Sequence, residues 1–355
     1  MSTFSKGLIA LVTLTLAAVW VLPKWAPVEA ERWSPPLNPG LSGPYAPNRA
    51  LAALSTLPVG PAPEHVACTG SGELFTGLDG GDIMQRDAAG EWARLGTTGG
   101  RPLGIRAHER GGLWIADSIK GLLHMTPEGE ITVLADAIGE EPLRFVDDLD
   151  VQQNGHIWFS DASERFDYRQ VALDFFEGSR TGRLLRYDPA TKKIDVMMSG
   201  LFFANGVTLG PNEDYVLVNE TGMGRVHRLW ISGERAGERD IFVDALPGTP
   251  DNIRFDGVDT FWIAMPSLRA SIDALAPLPR LRAVLSLLPL PLLEAAAQPA
   301  TFVIGVNLEG EVVHNLQDQN NPFHYITGAT PCGDKLYLGS LRTDAVGVLP
   351  LPLPQ

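Results

Sequence analysis

The stretch Leu113-Trp114-Ile115, Gly121-Leu122-Leu123-His124 and Ile131-Thr132-Val133-Leu134 holds three short apolar runs, each separated from the next by a turn. Runs of that length between turn residues read as consecutive antiparallel strands. The first run recurs as Leu74-Phe75-Thr76, Ile157-Trp158-Phe159, Tyr215-Val216-Leu217, Phe261-Trp262-Ile263 and Leu336-Tyr337-Leu338. A second run, often opened by glycine, follows each, as in Gly182-Arg183-Leu184-Leu185 and Gly224-Arg225-Val226-His227. Repetition at this spacing is the mark of a repeat architecture. With the run before each triad, a unit has four strands, the sheet of one propeller blade. The chain is therefore expected to be all-β, a six-bladed β-propeller. The sixth unit runs out of chain after its third strand, at the Pro-rich end from Leu349. Leu51 to Val59 is the unassigned strand candidate, so this N-terminal strand is expected to complete the last blade and remove an open edge.

Outside the repeats, the 28 Lys and Arg against 42 Asp and Glu give a net charge of −14. Such a surface repels polyphosphate and lacks the basic stripe that nucleic acid needs, so no nucleic-acid partner is expected. Ahead of the body, Met1 to Lys6 precedes an apolar run from Leu8 to Leu22, then Pro23, Lys24 and Trp25. The run is short beside the roughly 20 residues of a spanning helix, and Trp20 and Trp25 suit a membrane interface. Residues 1–25 are thus read as a signal-anchor or a signal peptide, 26–50 as a linker and 51–355 as the propeller. Either reading of the leader exports the body, leaving it extracytoplasmic and, with an anchor, attached to the membrane through its N-terminus. In that compartment Cys68 and Cys332 are free to form a disulfide, and the closed ring makes their blades neighbours.

Ten positions before each triad stand Glu64, Leu103, Asp147, Asn205, Asp251 and Ile326. Equal offset in equivalent repeats means equivalent places, here the start of each innermost strand at the channel mouth. Three carboxylates meeting there would repel and raise one another's proton affinity, a cost that a bound cation removes. Glu64, Asp147, Asn205 and Asp251 offer oxygen alone, which selects calcium, or magnesium or manganese, over softer metals. The two long insertions, about 162–181 and 266–300, fall between second and third strands and are expected over the same face. Both carry apolar residues at helical spacing, such as Val171 to Phe176 and Leu281, Val284, Leu285 and Leu288, as a lid, a membrane contact or plain packing would.

Several of these segments resemble one known family. Arg101-Pro102-Leu103-Gly104-Ile105, Phe145-Val146-Asp147-Asp148-Leu149-Asp150, Phe203-Ala204-Asn205-Gly206-Val207 and Pro250-Asp251-Asn252-Ile253 resemble the strictosidine synthase-like proteins. More distantly the chain is similar to gluconolactonases of the senescence marker protein family and to paraoxonases. The resemblance implies a divalent metal on Glu64, Asp147, Asn205 and Asp251, the residues that the offset singles out. It also implies a catalytic His at Leu103 (paraoxonases) and a Glu near Thr327 (strictosidine synthase), and this chain has neither.

The function expected is a calcium-dependent hydrolase of lactones or carboxylic esters, with a small apolar substrate. Asp251 is the expected proton acceptor and Asp147 the second, with His65 and His324 as alternates; Leu103, Ile326, Thr327 and His324 are expected to line the substrate pocket. Asp148 and Asn252 are expected to orient loops. The alternatives are a non-catalytic binding propeller and a condensing enzyme of the strictosidine synthase type.

Overall fold

A computed structural model describes residues 20–108, 111–295 and 297–351. Six four-stranded antiparallel sheets begin with the inner strands Val66–Cys68, Pro102–Ala107, Val146–Val151, Ala204–Leu209, Ile253–Phe255 and Ile326–Cys332. These inner strands are mostly buried, as expected where each sheet is covered on both faces by its neighbours.

The core is distributed as one apolar cluster per blade interface. Phe75 and Ile83 of the first blade meet Ile105, Leu113 and Leu123 of the second. Ala116 and Leu122 of the second meet Phe159 and Leu185 of the third, and the pattern continues through Trp158 against Val207 and Val216, and Leu217 against Ile263 and Ile304. Trp262 and Val303 then meet Ile326 and Leu338, and Val66 meets Tyr337 and Val346 at the last interface.

That last interface is also the seam. Ser55–Pro58 pairs antiparallel with Ala345–Pro350, Ser55 opposite Val348 and Pro58 opposite Ala345, so the N-terminal strand completes the sixth blade. Cys68 and Cys332 form a disulfide across the same seam. A cross-link between residues 264 apart in sequence removes much freedom from the unfolded chain.

Residues 26–50 are not the linker that composition suggested. Val28, Trp33 and Tyr45 are buried, and the segment lies across the blades and insertions. Burial of two large aromatic rings outweighs the freedom a Pro-rich stretch would keep. Cutting the chain after Trp33 would therefore remove packing as well as any tether. Most of the leader, residues 1–19, lies outside the described residues. Among the described residues, no helix is long and apolar enough to cross a membrane.

The first insertion forms helix α1, Val171–Glu177, closed by Gly178 in the left-handed conformation at φ 72°. A side chain at Gly178 would meet the ring of Trp33 at 2.6 Å, so glycine is needed twice over. The second insertion forms α2 (Ala270–Leu275), α3 (Pro279–Leu285) and α4 (Leu290–Glu294), with prolines in the first turn of α3 and of α4. The two-stranded pair Ser267–Leu268 with Gln298–Pro299 ties its neck. Arg282, fully buried, donates to the carbonyls of Leu275, Phe176 and Glu31 and covers the ring of Trp33. One side chain thus joins both insertions to the N-terminal segment, over the face where the inner strands begin.

Candidate metal centre and cavity

Four of the six inner strands open with a shift of register: between Pro102 and Ile105, Val146 and Leu149, Ala204 and Val207, and Ile326 and Gly328. Such bulges re-aim side chains at strand ends. Here they help bring the offset residues together. Ligand atoms of Glu64, Asp147 and Asp251 lie within 4.8 Å of one another, and all three residues are buried. Asn205 joins them by hydrogen bonding to Asp251. Close approach of neighbouring blades makes this possible: a side chain at Gly206 would stand 2.5 Å from the backbone of Asp251 and Ile253.

The backbone of Asp251 is held from several directions. Its amide donates to Ala264, and its carbonyl accepts from Gly206 and from the side chain of Asn219. Asn252, expected only to orient a loop, donates its amide to Glu64 Oε1 at 2.8 Å and to the Thr327 carbonyl at 3.0 Å.

Electrostatically the cluster is under-compensated. Burial raises the pKa of Glu64 to about 7, with the charge of Asp148 adding to the shift and Arg101 opposing it. Burial, then the charges of Asp251 and Glu64, pushes Asp147 well above the usual carboxylate range; burial, then Glu64, does the same to Asp251. Glu64 Oε2, Asn205 Oδ1 and Asn252 Oδ1 are buried with no hydrogen-bond partner. Buried oxygens without donors are costly and call for a ligand. An oxygen-only set with excess negative charge fits a hard divalent cation.

Above the cluster lies a cavity of about 450 Å³ whose walls come from both insertions and the inner-strand mouths. Phe145, Phe175, Phe176, Phe203, Ile272 and Leu275 make it largely apolar, and Leu103 lines it as expected. The other expected pocket residues do not reach it. Ile326 is fully buried between the fifth and sixth blades. The hydroxyl of Thr327 is buried and donates to the Glu64 carbonyl at 2.7 Å. His324 turns to the Pro322 carbonyl. Tyr325 takes their place, carried into the cavity by a left-handed backbone at φ 59°. Ala62 and Phe203 share that conformation and also line the cavity, and such strained residues gather at functional sites.

His65 is no alternate base. It lies outside the cavity lining, its Nδ1 accepts from the Ile105 amide, and burial with the charges of Arg254 and Arg106 holds its pKa well below the ordinary value. Arg101 and Tyr168 went unnoticed in the sequence. The buried guanidinium of Arg101 donates to the Ala62 carbonyl and to the Tyr168 hydroxyl at the edge of the site.

Two family models match parts of the chain. The model described as strictosidine synthase matches residues 147–234, and that described as strictosidine synthase-like, N-terminal, matches 43–86. The adipocyte plasma membrane-associated protein of Salmo salar is 34% identical over 96% of this chain and 90% of its own length. The chain belongs to the strictosidine synthase-like family. Protein strictosidine synthase-like 13 of Arabidopsis thaliana is 36% identical over 72% of this chain, a match that spans 62% of the plant protein. Among solved structures, a gluconolactonase from Xanthomonas campestris superposes with a TM-score of 0.63 at 17% identity, covering 90% of this chain and 99% of that one. A calcium-binding regucalcin from Agrobacterium tumefaciens superposes at 0.60 and 13% identity, covering 82% and 90%. Those two likenesses establish the shared propeller. Leu103 and Thr327 stand where the resemblance to paraoxonases implied a His and that to strictosidine synthase a Glu.

Proposed function

We propose that this protein is a divalent-cation-dependent hydrolase of apolar lactones or carboxylic esters, with calcium as the cation. The observation that carries the reading is the meeting of three buried carboxylates and unpartnered oxygens at the floor of an apolar cavity. Fold neighbours named as a gluconolactonase and as calcium-binding regucalcin support it.

Glu64, Asp147, Asn205 and Asp251 would hold the ion. When bound, it supplies an electrophile for the carbonyl oxygen and offsets the charge that develops there. Asp251 accepts the proton of the attacking water, with Asp147 as the second candidate, both being carboxylates that line the cavity at the cluster. The water oxygen bonds to the carbonyl carbon, the bond from that carbon to the alcohol oxygen breaks, and the carboxyl returns its proton to the leaving alkoxide. Phe145, Phe175 and Phe203 hold the acyl or alcohol part and keep bulk water out.

A second reading, a non-catalytic binding propeller, is favoured by Leu103, an apolar side chain on the cavity wall. The condensing alternative has less behind it, because Thr327 is sealed beneath the site. The disulfide suits an oxidising, extracytoplasmic compartment, with the N-terminus as membrane tether.

The deciding experiment is turnover of a lactone and aryl-ester panel by the calcium-loaded protein and by Asp251→Asn. The variant is expected to keep its fold and lose roughly 100-fold or more in kcat, the share of a general base. Should the parent hydrolyse nothing on the panel while still binding apolar ligands, the binding-propeller reading replaces this one.

A further inference from the structure

The cavity is walled in part by the inner side of the second insertion; the outer side of that insertion is also apolar. Leu278, Leu287, Leu288 and Leu292 are exposed there, Leu292 at 59%, although Leu293 beside it is buried. The short helix Leu22–Trp25 packs against α3, and it adds the exposed rings of Trp20 and Trp25. The guanidinium of Arg280 lies 3.4 Å from the centre of the Trp20 ring, joining the two segments. Exposed leucines and tryptophans gathered on one face of a protein mark an interaction surface.

Charge says what kind of partner fits. The whole chain carries −14, yet there is no Asp or Glu before Glu29 and none between Asp273 and Glu294. The cations in these segments are Lys6, Lys24, Arg280 and Arg282, of which Lys24 and Arg280 are exposed and Arg282 is buried. An acid-free apolar face edged by tryptophan and a few cations is the composition of a surface lying in a lipid interface. The chain itself points the same way, because the apolar run that begins at Leu8 continues in sequence into Trp20, Val21 and Leu22 on this face.

We propose that the outer face of the second insertion, with Leu22–Trp25 beside it, rests on a lipid bilayer, so that one wall of the cavity stands at the membrane surface. This contact is additional to any tether by the leader and does not depend on hydrolysis. It gives an apolar substrate dissolved in the bilayer a short path to the cavity.

The native cysteines are bonded to each other, so a single introduced cysteine takes a nitroxide label selectively. Leu288→Cys, Leu292→Cys and, as a control on an exposed turn of the fifth blade, Val258→Cys are labelled in the full chain. They are then bound to vesicles of phosphatidylcholine with phosphatidylglycerol. Labels at 288 and 292 are expected to collide with oxygen several-fold more than with an aqueous nickel chelate, and the label at 258 the reverse. Equal nickel accessibility at 288, 292 and 258 on vesicle-bound protein overturns the proposal while leaving the tether intact. Shielding at 288 that survives dissolving the vesicles in mild detergent and grows with protein concentration overturns it too, assigning the face to a second copy of the chain.

Discussion

Asp147 and Asp148 are consecutive, chemically identical and both buried, yet their surroundings are opposite. Asp148 receives two hydrogen bonds from the guanidinium of Arg254, at 2.5 and 2.7 Å, and a third from the Val207 amide. With Arg106 paired to Asp150 nearby, this set of charges is compensated residue by residue. Asp147 faces Glu64 and Asp251 instead, and no guanidinium is paired with any of the three at salt-bridge distance among the described residues. One layer of the channel thus serves the fold, whereas the layer above it holds carboxylates whose charge no neighbouring cation compensates and which a bound cation or protons must neutralise.

The sharpest way to break that comparison is to remove each carboxylate in turn. Asp148→Ala leaves Arg254 buried and unpaired and is expected to cost about 3–5 kcal/mol in urea unfolding, whereas Asp147→Asn in calcium-free protein should cost little or even stabilise, since it removes repulsion. Equal losses would end the distinction between the layers.

Next comes the response to the ion itself. Calcium at a hundredfold excess over its dissociation constant should add about 2.7 kcal/mol of stability, read as a rise in Tm, and Asn205→Ala should lose a large part of that rise by removing a ligand. A Tm that calcium moves equally in both proteins would place the ion elsewhere.

pH sharpens the contrast further. Glu64 has its folded pKa raised above the unfolded value, so the calcium-free folded state binds a proton that the unfolded chain has released. Its contribution is fully present below the ordinary value of 4.5 and is lost as pH rises through about 7. Chelated protein should therefore lose up to about 1.4 kcal/mol per pH unit for this group across that window, and calcium should flatten the slope. Chemical denaturation at fixed pH values measures it.

The smallest effect separates support from substrate contact. Thr327→Val leaves the Glu64 carbonyl without its hydroxyl donor and should cost about 1 kcal/mol, with the pattern of accepted esters unchanged. A changed substrate pattern would return Thr327 to the cavity wall.

Much of this was legible in the chain, for a reason that also sets the limit. Repetition converts sequence offset into spatial equivalence, so Glu64, Asp147, Asn205 and Asp251 could be gathered from four separate segments. The same logic assigned Leu51 to Val59 to the last blade, and the strand Ser55–Pro58 forms within that stretch. Nothing repeats at Arg101, Tyr168, Arg254 or Tyr325, and for such single residues the offset had nothing to say. Ile326 stood at the right offset and still missed the cavity, because the register shift in its strand encloses one residue, Thr327, where those of the second, third and fourth blades enclose two. Ile326 therefore takes the place of the buried Val146 while Tyr325 turns inward.

The sequence by itself determined the ring of six four-stranded blades, its closure and the oxygen chemistry of the mouth, since these follow from apolar period and residue type. Only the tertiary structure decided which of two adjacent aspartates is neutralised, which residues enter the cavity and that residues 26–50 pack rather than link. Those outcomes depend on bulges and on how closely neighbouring blades approach, and they are set by contacts between residues far apart in the chain.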